Sequence, residues 1–222
     1  MVVDTNFEDD DDYGISSYVK SKTQFDGVTN EMQVSYLKLM PDQGHELPLM
    51  STGITEENID FTIMLWFKIN QDFNTKSAPW GDTPQNMQLF SFEESVACFF
   101  TNTLTLMCDA ADRNKLQIEA GVITPGIWYH LTLVSAKDDQ SFLMIQNNHE
   151  TVAVDTSEQF GFRQNIVYNW RTCIGDCRSG FGFYGGVREF LLMHRTVTQQ
   201  EAERAKNMIF TYDSSVKAYF RF

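Results

Sequence analysis

The strongest constraint on the fold is one alternating run, Phe61-Thr62-Ile63-Met64-Leu65-Trp66-Phe67-Lys68-Ile69-Asn70. At a period of two, Phe61, Ile63, Leu65, Phe67 and Ile69 share one face of a strand, and Thr62, Met64, Trp66 and Lys68 the other. The second face is also largely apolar, so this strand is expected to be central and covered on both sides. Further strand-like runs occupy 31–39, 86–92, 96–101, 103–109, 115–120, 127–136, 140–146, 150–155, 183–194 and 216–222. Turn residues punctuate them at Asp26-Gly27, Asp112-Arg113-Asn114, Pro125-Gly126, Asp138-Asp139 and Asn147-Asn148. The Asn147-Asn148 pair reads as a hairpin because Asn tolerates positive φ.

Many short strands at this spacing predict an all-β, two-sheet antiparallel sandwich or a barrel. One helix is expected near 198–209. Thr198 and Glu201 fit a capping box, and Ala202, Ala205, Met208 and Ile209 recur at helical spacing. Residues 71–85 form the longest irregular stretch of the body, and long loops are often functional. No internal repeat or linker interrupts 15–222, which reads as a single domain behind an acidic flexible tail at 1–14.

Charge narrows the partners. The chain has 222 residues and a net charge of −13, with 17 Lys and Arg against 30 Asp and Glu. Such a chain repels a nucleic-acid backbone or an anionic membrane. Asp4, Glu8 and Asp9 to Asp12 stand in the tail without a base, so nearly half of that charge is outside the expected sandwich. No apolar run approaches the roughly 18–20 residues of a membrane helix, so no membrane insertion is expected. No signal peptide is visible after Met1, which fits a cytosolic chain and equally a mature fragment. No Asn begins an Asn-X-Ser/Thr sequon.

Motifs for catalysis are missing or fail in context. Gly180 to Gly185 matches G-x-G-x-x-G, but a strand follows where a dinucleotide site needs a helix, so it reads as a glycine-rich bend. There is no G-x-S-x-G nucleophile elbow. His45, His130, His149 and His194 are scattered without metal spacing, and His130 is expected to be structural. Glu93-Glu94 and Asp138-Asp139 are adjacent, so in a strand their side chains would point to opposite faces, and they read as surface charges. The chain is therefore read as a non-enzyme. Four cysteines, Cys98, Cys108, Cys173 and Cys177, lack zinc spacing. They allow two local disulfides, Cys98–Cys108 and Cys173–Cys177, or four half-buried thiols.

The order of segments resembles the laminin G-like, concanavalin A-like jelly-roll domains. Gln24-Phe25-Asp26-Gly27 looks like their F-D-G opening, and Phe61 to Lys68 like their FT-x-x-x-W-x-K strand. Trp128-Tyr129-His130-Leu131-Thr132-Leu133-Val134 resembles WYHLALV, and Phe142 to Asn148 stands where the family has LYINGK. Ile174-Gly175 and then Phe183 to Phe190 resemble IG…F-x-G-x-IDEVRIYNRAL. The helix at 198–209 stands where the family has S-x-x-EI, and Ala218 to Phe222 is similar to the last strand. The match spans about 20–222 in order. Trp66 and Trp128 would be core residues, and Gly186 would permit close strand approach. Arg188 departs from the usual Asp, and Asn148 from the usual Gly.

The resemblance implies a concanavalin A-like jelly roll in a non-catalytic module of a larger cell-surface or extracellular protein, recognising glycan or protein. The glucanase branch of the superfamily carries Glu-x-Asp-x-x-Glu, and no such run occurs here. Trp80, Tyr184 and Trp170 are candidate sugar platforms, with Asn74, Asp82 and Asp176 as polar partners. Asp26 and Glu189 are candidate ligands for a Ca2+ cofactor, with turn formation the competing role of Asp26. The other reading is an assembly module that docks to neighbouring domains or subunits without a sugar site.

Overall fold

A computed structural model describes residues 36–39, 44–46, 60–73, 86–92, 96–110, 114–137, 139–158, 160, 172–175, 182–206 and 215–220. The strands are β1 (Leu37–Leu39), β2 (Gly44–Glu46), β3 (Phe61–Ile69), β4 (Met87–Phe92), β5 (Val96–Phe100), β6 (Leu106–Ala110) and β7 (Asn114–Ile118). They continue as β8 (Tyr129–Ser135), β9 (Ser141–Gln146), β10 (Thr151–Ser157), β11 (Thr172–Gly175), β12 (Gly185–Met193) and β13 (Val216–Phe220). A single described helix, α1 (Gln199–Ala205), precedes β13.

Two antiparallel sheets form the sandwich. The seven-stranded sheet runs β1-β12-β3-β8-β9-β10, and the six-stranded sheet runs β2-β11-β4-β5-β6-β7. On the side of β12 away from β3, β1 pairs with Gly185 to Val187 and β13 with Phe190 to Met193. As the alternation requires, Phe61, Ile63, Leu65, Phe67 and Ile69 all enter the core between the sheets. Phe67 lies 5.4 Å from the Phe100 ring of the opposite sheet and 5.8 Å from Tyr129 (centroid distances). These contacts tie β3 to both layers.

The other face of β3 is also covered, but in two different ways. Met64 packs with Val134, Met144, Leu191 and Met193 against Ala202 and Ala205 of α1. The helix begins as its sequence dictates: Glu201 N–H donates to Thr198 Oγ1 at 3.1 Å and Thr198 N–H to Glu201 Oε2 at 2.8 Å. Met208 and Ile209, expected on the same helix face, lie outside the described residues. Beyond Met64 the outer face turns polar and aromatic.

Several local expectations change. Asn147 does not use positive φ; among the described residues the only non-glycines there are Leu104 and Glu189. Instead Asn147 Oδ1 accepts from His149 N–H and Glu150 N–H, at 2.8 and 2.9 Å, and holds a longer β9–β10 loop. Thr124-Pro125-Gly126-Ile127 closes as a type II turn, with Gly126 at φ 87° and Ile127 N–H donating to the Thr124 carbonyl. Strands β2 and β11 were not foreseen as strands. They pair with each other, and β11 also joins β4. Cys98 and Cys108 face each other across β5 and β6 and are joined by a disulfide, with Cα atoms 4.1 Å apart. That spacing belongs to a non-hydrogen-bonded antiparallel pair.

Replacing Phe67 with Ala would leave a void between the sheets. The expected loss is about 3–5 kcal/mol of unfolding free energy. Thr198→Ala, which removes only the helix cap, should cost about 1 kcal/mol. Urea midpoints of the two variants measure the ordering.

Candidate functional site

The polar half of the outer face is built by register. Arg188 of β12 pairs with Trp66 of β3, Trp66 with His130 of β8, and His130 with Gln146 of β9. Leu37 pairs with Val187, so the β1–β12 register carried back one residue brings Tyr36 opposite Arg188. One step along the strands, Lys38 pairs with Gly186 and Gly186 with Lys68. Trp128, just before β8, neighbours Lys68.

Gly186 is the gap into which the aromatic rings lean. A Cβ there would lie 2.7 Å from Tyr36 Cδ2 and 3.1 Å from Trp128 Cη2. The close approach expected at this glycine is therefore one of side chains. Tyr36 meets Trp128 edge-on at 5.4 Å between centroids. Lys68 Nζ stands 5.1 Å from the Trp128 ring centre and 5.3 Å from that of Tyr36. Arg188 Cζ stands 4.7 Å from both Trp128 and Trp66. Each cation thus rests against two electron-rich rings.

This arrangement bears out a buried Trp66 and corrects the reading of Trp128 as core. Trp66 is buried, yet on the outer face and beside His130 at 5.2 Å, while Trp128 is only half-buried. Both side chains have the parity of Lys68, opposite to Phe67. The β12 strand makes the same point. Val187 and Phe190 both reach the core although three residues apart, because the pairing slips between Arg188 and Leu191. Glu189, at φ 57°, is the extra residue of that bulge.

Among the described residues neither Lys68 nor Arg188 is in an ion pair. Burial lowers the Lys68 pKa, and the like charge of Arg188 adds to it. Burial also lowers that of Arg188, opposed by Glu189. Beneath them His130 is held neutral, its pKa pushed down to about 4, chiefly by burial. The nearby charges of Arg188 and Lys206 act in the same direction, and Gln146 opposes them. Among the described residues, several buried polar atoms here have no hydrogen-bond partner: His130 Nδ1, Thr132 Oγ1, Gln146 Oε1 and Arg188 Nε.

Of the residues singled out from sequence, Tyr184 sits at the mouth of the long loop. Its hydroxyl donates to Asp72 Oδ2 at 2.9 Å, and its carbonyl accepts from Asn70 N–H. Burial, and then the bond to Asp72, raise its pKa. Glu189 occupies the bulge, and among the described residues no three His, Cys, Asp or Glu side chains converge to hold a metal. Trp80, Trp170, Asn74, Asp82, Asp176, Asp26 and Cys177 lie outside the described residues. Tyr36, Lys68 and Arg188 were not foreseen as site residues. A signal existed in Lys68, which places a charge near the end of a largely apolar strand run.

No protein-family model and no curated protein matches the chain. Solved structures do match. The enzymatically active domain of bacteriophage CBA120 tailspike protein 2 aligns with a TM-score of 0.57 at 11% identity, over 85% of this chain and 30% of that one. The binding domain of botulinum neurotoxin serotype G aligns at 0.54 and 10% identity, over 80% of this chain and 47% of that one. The Ruminococcus gnavus IT-sialidase CBM40 bound to alpha2,3 sialyllactose aligns at 0.50 and 13% identity, over 77% of this chain and 95% of that one. The chain has the two-sheet antiparallel jelly-roll sandwich fold of these structures. It spans less than half the length of the tailspike and toxin chains.

Stability should depend on pH through His130. In the unfolded chain it titrates near 6.5, and in the folded chain at about 4. Between those values the unfolded state binds the extra proton, so stability is full above 6.5 and is lost as pH falls towards 4. The loss is about 3 kcal/mol at roughly 1.4 kcal/mol per pH unit. Urea unfolding of wild type and His130→Gln between pH 7 and 4 should show a flatter profile in the variant. Parallel profiles would contradict it.

Proposed function

We propose that this chain is a non-catalytic binding module that takes a saccharide on the outer face of its seven-stranded sheet. The observation that carries the proposal is the half-buried Trp128, steadied by Tyr36 and flanked by Lys68 and Arg188. An indole of this kind offers an apolar surface for a sugar ring, and the cations can orient its polar groups. The CBM40 neighbour, seen with sialyllactose, supports a glycan ligand, and the toxin binding domain supports a recognition role. The tailspike neighbour is an enzymatically active domain, but this chain lacks the Glu-x-Asp-x-x-Glu run of sandwich glucanases, which favours binding without hydrolysis.

The loop group of Trp80, Asn74 and Asp82, with Tyr184, Trp170 and Asp176, forms a second set of candidate contacts in this proposal. Asp26 and Glu189 stay its candidates for a calcium ion. The Cys98–Cys108 disulfide supports an extracellular or cell-surface location, where such bonds persist.

A glycan array with and without calcium, run on wild type, Trp128→Ala and Tyr184→Ala, tests the reading. Wild type should give saccharide hits, and Trp128→Ala should lose them by at least about 10-fold, the scale of an aromatic anchor. Loss in Tyr184→Ala alone would move the site to the long loop. Silence of the wild type across the array would overturn the saccharide reading in favour of a protein-docking module.

A further inference from the structure

A neutral sugar needs no cation, yet this face concentrates three bases. Lys38, Lys68 and Arg188 stand in adjacent rows on the outer side of β1, β3 and β12, in a chain of net charge −13. Among the described residues Lys68 makes no ion pair, and the like charge of Arg188 acts on it. Arg188 has Glu189 as its acidic neighbour in the chain, whose charge opposes the lowering of its pKa by burial. Placing two cations against one indole is unfavourable unless an anion joins them.

One donor of Arg188, Nε, also lacks an acceptor among the described residues. A guanidinium carries its N–H groups in its plane, so rings that cover its faces leave the donor edge available. Trp66 and Trp128 each lie 4.7 Å from its central carbon, and Nε is buried without an acceptor. A planar fork with an unused edge matches the paired oxygens of a carboxylate or sulfate. The rings that hold it keep the site partly dry, which strengthens such a bond.

We infer, resting on the saccharide-binding reading above, that this face selects acidic sugars. The ligand's oxyanion pairs with the Arg188 fork, Lys68 supplies the second countercharge, and the sugar ring lies against Trp128. Lys38, one strand from Gly186, extends the positive field at the rim. Trp66 and His130 act as positioning residues, Trp66 by backing the guanidinium and His130 by backing Trp66.

Three ligands that differ in one group provide the test: lactose, 3′-sulfolactose and 3′-sialyllactose, titrated into the full chain by calorimetry and tryptophan fluorescence. An acidic ligand should bind about 10-fold to 100-fold tighter than lactose, the scale of one charge-assisted pair. The preference should shrink as salt rises from 20 to 300 mM, conditions set by the length over which charges are screened, about 10 Å at 0.1 M. The sulfated and carboxylated arms identify which oxyanion fits. Arg188→Gln should weaken the acidic ligands far more than lactose and so collapse the preference. Arg188→Lys, which keeps the charge but not the fork, should retain only part of it. Lys68→Met should weaken the acidic ligands more than lactose. Thermal unfolding of each variant checks that the sheet is intact, and the wild-type ligand and salt series stands without any variant. Equal affinity for all three ligands, or Arg188→Gln weakening lactose as much as the acids, would overturn the inference while leaving saccharide binding in place. Absence of binding to lactose and to both acids overturns it as well, and the array then decides whether the broader reading falls with it.

Discussion

The pairing of β3 between β8 and β12 is the constraint on which everything else rests. Both faces of this strand are covered, so its register decides two environments at once. A slip of one residue would move Phe67 out of the inter-sheet core and put Lys68 into it. The cost of burying that ammonium locks the register as firmly as the gain from burying the phenylalanine does. With the register set, Met64 meets the helix and Trp66 meets Arg188 and His130.

The outer face is thereby divided. Near α1 it is apolar and behaves as a second, smaller core. Towards Tyr36 and Trp128 it carries cations and buried polar atoms without partners. Local consistency of this kind breaks where a protein keeps a site, because a fold optimised for stability alone would fill such positions with hydrocarbon. The aromatic rings soften the desolvation of Lys68 and Arg188 but bring no negative charge. The strongly acidic composition argues against polyanionic partners, and it coexists with a small basic surface because long-range and local fields are set by different residues.

Much of the sandwich was legible in the sequence. The alternation at 61–70, the strands near 86–92, 129–135, 141–146 and 216–220, and the Thr198–Glu201 cap all follow from short-range chemistry. Strands β2 and β11 were not legible, because three or four residues such as Gly44-His45-Glu46 carry no period. The bulge was hidden as well. Counting by twos back from Leu192 and Phe190 puts Arg188 in the core, and only the left-handed Glu189 returns it to the outer face.

By itself the sequence determined the fold class, the double coverage of β3 and the helix start, since each depends on residues within a few positions of one another. Tertiary structure alone assembled the candidate site. Tyr36, Lys68, Trp128 and Arg188 come from four separate parts of the chain, and no spacing between them marks a ligand. They meet because antiparallel register aligns β1, β12, β3 and β8 and because Gly186 leaves room for two rings. Cross-strand neighbours are set by hydrogen-bonded pairing over long loops, which a linear pattern does not encode.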